Sequence, residues 1–199
     1  MDRTLLTTAL IAGAAFATSL AASAQASAAT TTRRDVQQEQ RIENGLQNGS
    51  ITTRENALLQ RDEARVDRLQ AEGLKNGSLS PAEKARLIAA QDKSSRDIHT
   101  ARTNGINGNP LSASSQRAQA DTQRNINQQQ RISQGVKNGS LTNHEAARLE
   151  GGQSHVEARE ARAGADGHVS AGEQHRILRA DDRQSARIQR ERHDAQVKG

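Results

Sequence analysis

An internal duplication constrains the fold of this chain more than any other feature of its sequence. Residues 34–102 and 124–192 are two copies of one module, related by a constant offset of 90 residues without a gap. The matching segments include Gln40-Arg41-Ile42 with Gln130-Arg131-Ile132, Asn48-Gly49-Ser50 with Asn138-Gly139-Ser140, and Ser95 and Ile98 with Ser185 and Ile188. A repeat of this length indicates one supersecondary unit that was duplicated and that packs on itself or on its twin.

The repeat also contains the signals that start and stop helices. A Gly-x-apolar-Ser/Thr-x-x-Glu loop occurs twice in each copy, 28 residues apart. The Gly can adopt the left-handed conformation that ends a helix, and the hydroxyl residue can form a capping box with the Glu three positions later. The predicted capping pairs are Thr52 with Glu55, Ser80 with Glu83, Thr142 with Glu145, and Ser170 with Glu173.

These signals predict an all-α fold made of two tandem copies of a three-helix hairpin module. The first helix of copy one is expected over residues 35–46 and its counterpart over residues 115–136. Short loops favour antiparallel packing between neighbours along the chain. Residues 103–115, rich in Gly, Asn, Pro and Ser, form the predicted linker to the second module at residues 116–192. The linker would let the modules reorient, and the sequence leaves open whether they dock.

Few large side chains are available for a core. Cys, Trp and Tyr are absent, and the single Met and the single Phe both lie near the N-terminus. Aromatic side chains bury roughly 150 to 250 Å² each and normally dominate cores, so this chain must build its interior from Leu, Ile, Val and Ala. A single module with such a core is expected to be marginally stable by itself.

Residues 1–26 have the composition of a secretory signal peptide. Arg3 precedes an apolar and small stretch, and small residues at suitable spacing place cleavage after Ala24, Ala26 or Ala28. The stretch is short and rich in Ala and Thr, which favours a signal peptide over a membrane anchor. We therefore expect a periplasmic or secreted protein without a transmembrane segment after cleavage.

The net charge of +5 is spread over both copies. Copy one carries 12 basic and 11 acidic residues, and copy two carries 12 and 9. The charges are interleaved along the predicted helices, as in residues 61–68, which indicates a solvated face with i to i+4 ion pairs. A nucleic-acid binder would concentrate its basic residues and supply stacking aromatics. The sequence therefore predicts that nucleic acid is not a partner.

One loop of copy two resembles the second half of an EF-hand calcium loop. Asp166 precedes a Gly, an aliphatic residue follows, and Glu173 would close the loop as a bidentate ligand, with His168 as a further candidate donor. The first and third ligand positions would be Arg162 and Gly164, which offer no side-chain oxygen. N3 capping explains all four glutamates without a metal, so calcium binding is an alternative.

No catalytic constellation stands out in the sequence. Five of the six histidines lie in copy two, but no two of them are spaced i, i+4 on one helix. The chain has no Cys nucleophile, no Gly-x-Ser-x-Gly elbow, no His-Glu-x-x-His motif and no phosphate-binding Gly-rich loop. We therefore expect a protein that is not an enzyme and uses no cofactor.

A signature of short motifs runs through both copies. It comprises residues 130–132, 135–145, 165–173 and 185–188, with weaker matches at residues 40–42, 45–55 and 77–83. This signature resembles a family of uncharacterised exported helical-repeat proteins of proteobacteria with degenerate EF-hand-like loops. The resemblance implies export and helical repeats, and it brings no activity or cofactor. The Leu-Ser/Thr-x-x-Glu elements are also similar to the Leu-Thr-x-x-Gln motif of periplasmic stress chaperones, although a capping box alone generates that pattern.

Taken together, these features predict a non-enzymatic exported helical repeat protein. Its expected partner is a protein or a client in the bacterial envelope, or a second copy of itself. The alternative is a degenerate EF-hand-like protein that binds calcium or another metal through Asp166, His168 and Glu173.

Overall fold

Six helices make up the described part of the chain. The structure is a computed structural model that describes the backbone of residues 12–194 and the side chains of residues 28–194. The helices are α1 (Ala12–Asn48), α2 (Thr53–Leu74), α3 (Pro81–Thr103), α4 (Ala113–Asn138), α5 (Asn143–Ala163) and α6 (Ala171–His193). The all-α fold is confirmed. Within the described range, no helix combines the length and the hydrophobicity that crossing a bilayer requires.

Helix α1 begins earlier than the sequence suggested, at Ala12. It includes part of the segment assigned as a signal peptide, while residues 1–11 of that assignment lie outside the described residues. Ala28 is fully buried and belongs to one apolar cluster with Ile132 of α4, because two small residues at this point let α1 approach α4 closely. Cleavage after Ala24 or Ala26 would keep this contact, whereas cleavage after residue 28 would remove it.

Glycines and capping boxes define the loops between helices. The loop glycines Gly49, Gly77, Gly139 and Gly167 have φ angles of 78°, 84°, 69° and 91°. At the start of α2, α3, α5 and α6, the N-cap hydroxyl accepts from the backbone N–H of the Glu at N3, and that Glu accepts from the N-cap backbone. The four glutamates of the repeated loops therefore act as N3 capping residues in this structure.

A second glycine explains the spacing of the first loop in each copy. A Cβ atom on Gly45 would lie 2.4 Å from Cδ1 of Ile51, and one on Gly135 would lie 2.5 Å from Cδ1 of Leu141. The backbone N–H of Ile51 donates to the Gly45 carbonyl at 2.9 Å, and Leu141 donates to Gly135 at 3.0 Å. The side chain of Ile51 or Leu141 thus packs over the end of the preceding helix, and a glycine at residue 45 or 135 leaves room for it.

The two copies pack extensively on each other. Helix α2 lies against α5 and α1 lies against α4, and both contacts are larger than any contact between helices of the same copy. Ser154 Oγ donates to the carbonyl of Ala64 at 2.7 Å, and these two residues occupy equivalent positions of the repeat. Gly151, earlier in α5, lies beside Ala71, later in α2, so these helices are antiparallel. An approximate two-fold axis therefore relates the copies.

This arrangement adds contacts between copies to the packing of neighbouring helices that the short loops predict. Its physical reason is the small number of aliphatic side chains in one copy, since each copy uses its twin to cover its helices. The linker between α3 and α4 is hydrogen-bonded to copy one, because the backbone N–H of Gly108 donates to the carbonyl of Gly49 at 2.8 Å. Asn104 Nδ2 donates to Glu55 Oε1 at 2.6 Å.

The aliphatic side chains form separate clusters at opposite ends of the antiparallel pair α1 and α4. One cluster comprises Ile42, Leu46, Ile51, Leu59, Ile98, Ala101 and Ala118. The other comprises Ala28, Ala29, Leu74, Ile132, Val136, Leu141, Ala146, Ala147, Leu149 and Ile188. A small third cluster joins Ala163, Val169 and Ile177. Between the first two clusters, many buried polar side chains lie beside isolated aliphatic ones such as Val66 and Val156.

Candidate functional site

The interior between the apolar clusters is acidic. Eleven carboxyl side chains are buried among the described residues, and no Lys, Arg or His is buried in the same range. The buried acids are Asp35, Glu39, Glu43, Glu63, Asp67, Asp121, Glu145, Glu150, Glu157, Glu160 and Asp181. An ionised carboxylate buried without a cation is costly, so such a group shifts its pKa and becomes neutral.

The burial of these acids corrects the interpretation of the charges as interleaved on solvated faces. Glu63 and Asp67 are each 1% exposed, whereas Arg61, Arg65 and Arg68 of the same segment are exposed. Acids at positions i and i+4 share one helix face, and that face points inward. Of the 22 acidic residues among described residues 28–194, eleven are buried, which leaves 11 acidic residues against 26 Lys and Arg in that range. The surface is therefore more basic than the net charge of +5 indicates.

Uncharged amides are the main hydrogen-bond donors to the buried acids, and Arg124 Nη1 lies 3.9 Å from Asp121 Oδ1. Gln60 Nε2 donates to Glu39 Oε2 at 3.1 Å, and Gln129 Nε2 donates to Glu150 Oε2 at 3.2 Å. Further donations are Gln91 to Asp35 at 2.7 Å, Gln70 to Glu150 at 2.9 Å, Asn125 to Glu160 at 2.8 Å, Gln128 to Asp181 at 3.1 Å and Gln174 to Asp121 at 2.6 Å. We call these buried acids and amides, with Glu63, Asp67, Gln153 and Glu157, the polar layer.

Equivalent positions of the two copies hold an acid in one copy and an amide in the other. The pairs are Asp35 with Asn125, Glu39 with Gln129, Gln60 with Glu150, Glu63 with Gln153, Gln70 with Glu160, and Gln91 with Asp181. The hydrogen bond from Gln60 to Glu39 therefore recurs in copy two as the bond from Gln129 to Glu150. The amide and the acid have exchanged positions. This exchange places amide donors within reach of the acids.

Burial raises the pKa of the polar-layer carboxyls. Desolvation raises the pKa of Glu63, Glu150, Asp121 and Asp181 to about 7 in each case. The pKa values of Asp35, Glu39, Asp67, Glu157 and Glu160 are also raised well above their ordinary range, first by burial and then by repulsion from neighbouring carboxyls. Repulsion from Glu150 acts on both Asp35 and Asp67, so ionisation of one group opposes ionisation of the next.

The hydrogen-bond pattern independently indicates protons in the polar layer. Buried acceptor oxygens without a partner belong both to carboxyls and to amides: Asp35 Oδ2, Glu39 Oε1, Glu63 Oε2, Glu157 Oε2, Glu160 Oε1 and Asp181 Oδ2, and Gln70, Gln128, Gln129 and Gln153 Oε1. An ionised carboxylate only accepts, whereas a protonated carboxyl also donates. Protonation therefore supplies the donors that this surplus of acceptors lacks.

The signature motifs of the sequence serve the fold. Arg41 donates to Ser95 Oγ at 2.7 Å and to the Ser95 carbonyl at 3.2 Å. Arg131 makes the same pair of bonds to Ser185, at 2.8 and 3.2 Å. These bonds join the Gln-Arg-Ile element in the first helix of each copy to the Ser-x-x-Ile element in the third.

The EF-hand-like residues are not assembled as a metal site. Asp166 Oδ1 accepts the backbone N–H of His168 at 2.9 Å, and both residues are exposed. Glu173 Oε2 accepts from the backbone and the hydroxyl of Ser170, at 2.9 and 2.6 Å. These three candidates belong to no group of three ligand atoms within 4.8 Å of one another in the described range. A group of that kind does form from Glu145 with Glu191 and Asp194.

A groove with mainly basic walls lies between α2, α5 and α6. Its volume is about 730 Å³. The charged residues that line it are Arg68, Lys75, His144, Arg148, His155 and Arg187, with Glu72 and Glu191. Ala71, Ala147, Gly151 and Gly152 form part of its lining.

The polar layer could not be found from charge counts, but helical periodicity holds a signal for it. Asp35, Glu39 and Glu43 recur every four residues, as do Glu63 and Asp67, and Asn or Gln occupies the positions equivalent to residues 35, 39 and 63 in copy two.

No family model, no curated protein and no solved structure matches the chain. The family resemblance of the sequence motifs therefore stays a prediction.

Proposed function

We propose that this chain is a non-enzymatic exported protein that binds a protein partner or client in the bacterial envelope, and that pH controls the docking of its two copies. The observation that carries this proposal is that residues 28–194 bury eleven carboxyls and no basic side chain. Titratable groups with strongly shifted pKa values concentrate at functional sites. Among them, Asp67 of α2 and Glu150 of α5 lie where the two copies meet, so their charge state acts on that contact.

Acidic pH favours the closed bundle. A carboxyl whose pKa is higher in the folded state than in the unfolded state keeps its full contribution to stability below the unfolded pKa, about 4. That contribution is lost as the pH rises through the folded pKa, which is about 7 for Glu63 and Glu150. The free energy that holds the copies together therefore falls between about pH 4 and pH 7 or above.

Ionisation acts across the contact between the copies. Asp67 of α2 and Glu150 of α5 both accept from Gln129 of α4, at 3.0 and 3.2 Å. When the carboxyls carry charge, they repel each other across α2 and α5 in a water-poor interior. Separation of the copies would uncover apolar side chains that cross the contact, such as Leu74 in its cluster with Ile132. Such a surface suits a protein client.

The basic groove supports a protein partner with an acidic segment. Six of its lining residues are Lys, Arg or His, and two are acidic. Complementary charge steers the association of a protein partner and selects among partners. The groove thus complements the apolar surface that opening would expose.

The test compares the wild-type chain, purified from the exported fraction, at pH 5 and pH 8. We expect hydrogen exchange in α2 and α5 to be slow at pH 5 and fast at pH 8, and we expect protection of an aggregating client only at pH 8. The matched variant Glu39→Gln with Glu63→Gln gives copy one the residues that copy two already has at those positions. It should stay closed and give little protection at pH 8. Equal exchange and equal protection by the wild type at both pH values would refute the proposal.

A further inference from the structure

We propose a divalent-cation site where the end of α6 meets the start of α5, formed by Glu145, Glu191 and Asp194. One carboxylate oxygen from each residue lies within 4.8 Å of the other two. Calcium takes six to eight oxygen ligands at about 2.3 to 2.6 Å, and two ligands on opposite sides of the ion are then about 5 Å apart. The three oxygens can therefore reach one ion, with water completing its shell.

The buried carboxylate of the group has an oxygen that the fold leaves without a partner. Glu145 is 2% exposed. Its Oε2 accepts from the backbone N–H and the hydroxyl of Thr142, at 2.7 and 2.8 Å, which completes the capping box. Its Oε1 is buried and accepts no hydrogen bond. A buried acceptor left unmatched costs free energy, so this oxygen is available for a ligand.

In copy one, an amide donor binds the carboxylate oxygen that is equivalent to Glu145 Oε1. Glu55 forms the same capping box with Thr52, and its Oε1 accepts from Asn104 Nδ2 at 2.6 Å. The repeat aligns Asn104 with Asp194 and Ala101 with Glu191. Copy two therefore replaces one amide donor with a carboxylate and adds a second carboxylate beside it. Like charges in such proximity repel each other, and a bound cation would relieve that repulsion; a hard divalent ion suits an all-oxygen ligand set.

The surroundings of the group compensate only part of its charge. Among the described ion pairs, Arg148 is the basic partner of the group: its Nη2 lies 3.4 Å from Glu191 Oε2, and its side chain is 59% exposed. An exposed pair of this kind contributes little stability. The site is separate from the EF-hand-like loop at residues 165–173 and from the polar layer; it shares Glu191 with the groove, but cation binding there does not require a partner in the groove. A bound ion would anchor the end of α6 to the start of α5.

The experiment measures calcium binding by isothermal titration calorimetry and thermal unfolding by far-UV circular dichroism at pH 6, below the pKa of about 7 of Glu63 and Glu150. We expect calcium to bind the wild-type chain with a stoichiometry of about one and to raise its Tm, because an ion that binds the folded state stabilises it. Asp194→Asn restores the residue of copy one. This variant should fold in chelator at least as stably as the wild type and lose at least about tenfold in calcium affinity.

Two further variants assign the response to this site. Glu191→Ala also introduces the residue of copy one, and it should weaken calcium binding to a similar degree. Asp166→Ala, in the EF-hand-like loop, should leave calcium binding unchanged. The proposal is overturned if the wild-type chain gives no calcium response, or if Asp194→Asn binds calcium as tightly as the wild type.

Discussion

The two copies of the repeat share the features that build their helices and differ where they face each other. Both keep the loop glycine, the capping boxes and the bond from an Arg to a Ser of the third helix. At six buried positions, however, one copy has an acid and the other has an amide. The shared features satisfy needs local to one copy. The differences lie in the polar layer, where the bonds from Gln70 to Glu150 and from Gln129 to Asp67 join the two copies.

An approximate two-fold axis explains why the difference is useful. At such an axis each residue lies near its own equivalent in the other copy. Asp67 and its equivalent Glu157 show what two like groups do there: both are acids, and burial, followed by repulsion from Asp67, raises the pKa of Glu157. In this chain Gln153 Nε2 donates to Asn125 Oδ1 at 2.8 Å, and the equivalents of these two residues are Glu63 and Asp35, which repel each other. Duplication within one chain allowed the two sides of the contact to diverge.

The largest expected effect of pH comes from making copy one like copy two in the polar layer. We expect the wild-type free energy of unfolding to be highest near pH 4 to 5 and to fall as the pH rises through 7, because the folded state binds more protons than the unfolded state. The pKa of Glu63 rises from 4.5 to about 7 on folding, which corresponds to roughly 3 kcal/mol lost above pH 7. Glu63→Gln should recover a loss of this order at pH 8.

Urea unfolding followed by far-UV circular dichroism at pH 4.5 and pH 8 measures this effect. The control is Glu72→Gln, because Glu72 is exposed on the same helix, and its effect should stay within about 0.5 kcal/mol at both pH values. A wild-type chain that becomes more stable from pH 4.5 to pH 8 would contradict the prediction.

The second prediction addresses the apolar ends, where the copies agree. Ile42 and Ile132 are equivalent and fully buried, one in each of the two main clusters. Truncation to Ala should cost about 2 to 5 kcal/mol at either position, from lost burial and the cavity left behind. Chemical denaturation at pH 5 gives the free energies. Leu111→Ala is the control, since Leu111 is 79% exposed and its truncation should cost at most about 0.5 kcal/mol. A small loss at only one isoleucine would show that the clusters are not equivalent.

The helices and loops could be predicted from the sequence because the interactions that start and end a helix are local. A capping box needs only Thr52 and Glu55, and the end of a helix needs only a nearby Gly, so the helix count and the loops follow from spacing. The polar layer depends on which helix faces which. Glu63 and Asp67 look like solvated charges while α2 is considered alone, and they become interior when α5 covers that face. The cluster at Glu145 likewise depends on where α6 ends.

The third prediction tests the helix ends that both copies share. Gly45→Ala and Gly135→Ala would each place a Cβ within 2.5 Å of a loop aliphatic, Ile51 or Leu141. Each should cost about 1 to 3 kcal/mol, because the loop must shift to make room. Gly172→Ala is the matched control: its Cβ would meet no atom within 4 Å, and it should stabilise α6 by roughly 0.5 to 1 kcal/mol. Thermal unfolding measures all three, and equal costs at residues 45 and 172 would contradict the steric explanation.

The smallest expected effect sharpens the comparison at a single cap. Thr52→Ala and Thr142→Ala each remove an N-cap hydroxyl, which typically costs about 1 kcal/mol. The loss should be greater at Thr142. Glu55 keeps the bond from Asn104 to its other oxygen, whereas Glu145 is buried, has no partner at Oε1, and would retain only the backbone donor at Oε2. We expect up to about 2 kcal/mol for Thr142→Ala in chelator at pH 6, measured by urea unfolding. Equal losses at the two caps would contradict this prediction. They would mean that the unpartnered Oε1 of Glu145 adds nothing to the cost of losing the N-cap hydroxyl, so the two copies would differ less at this helix start than their hydrogen bonds indicate.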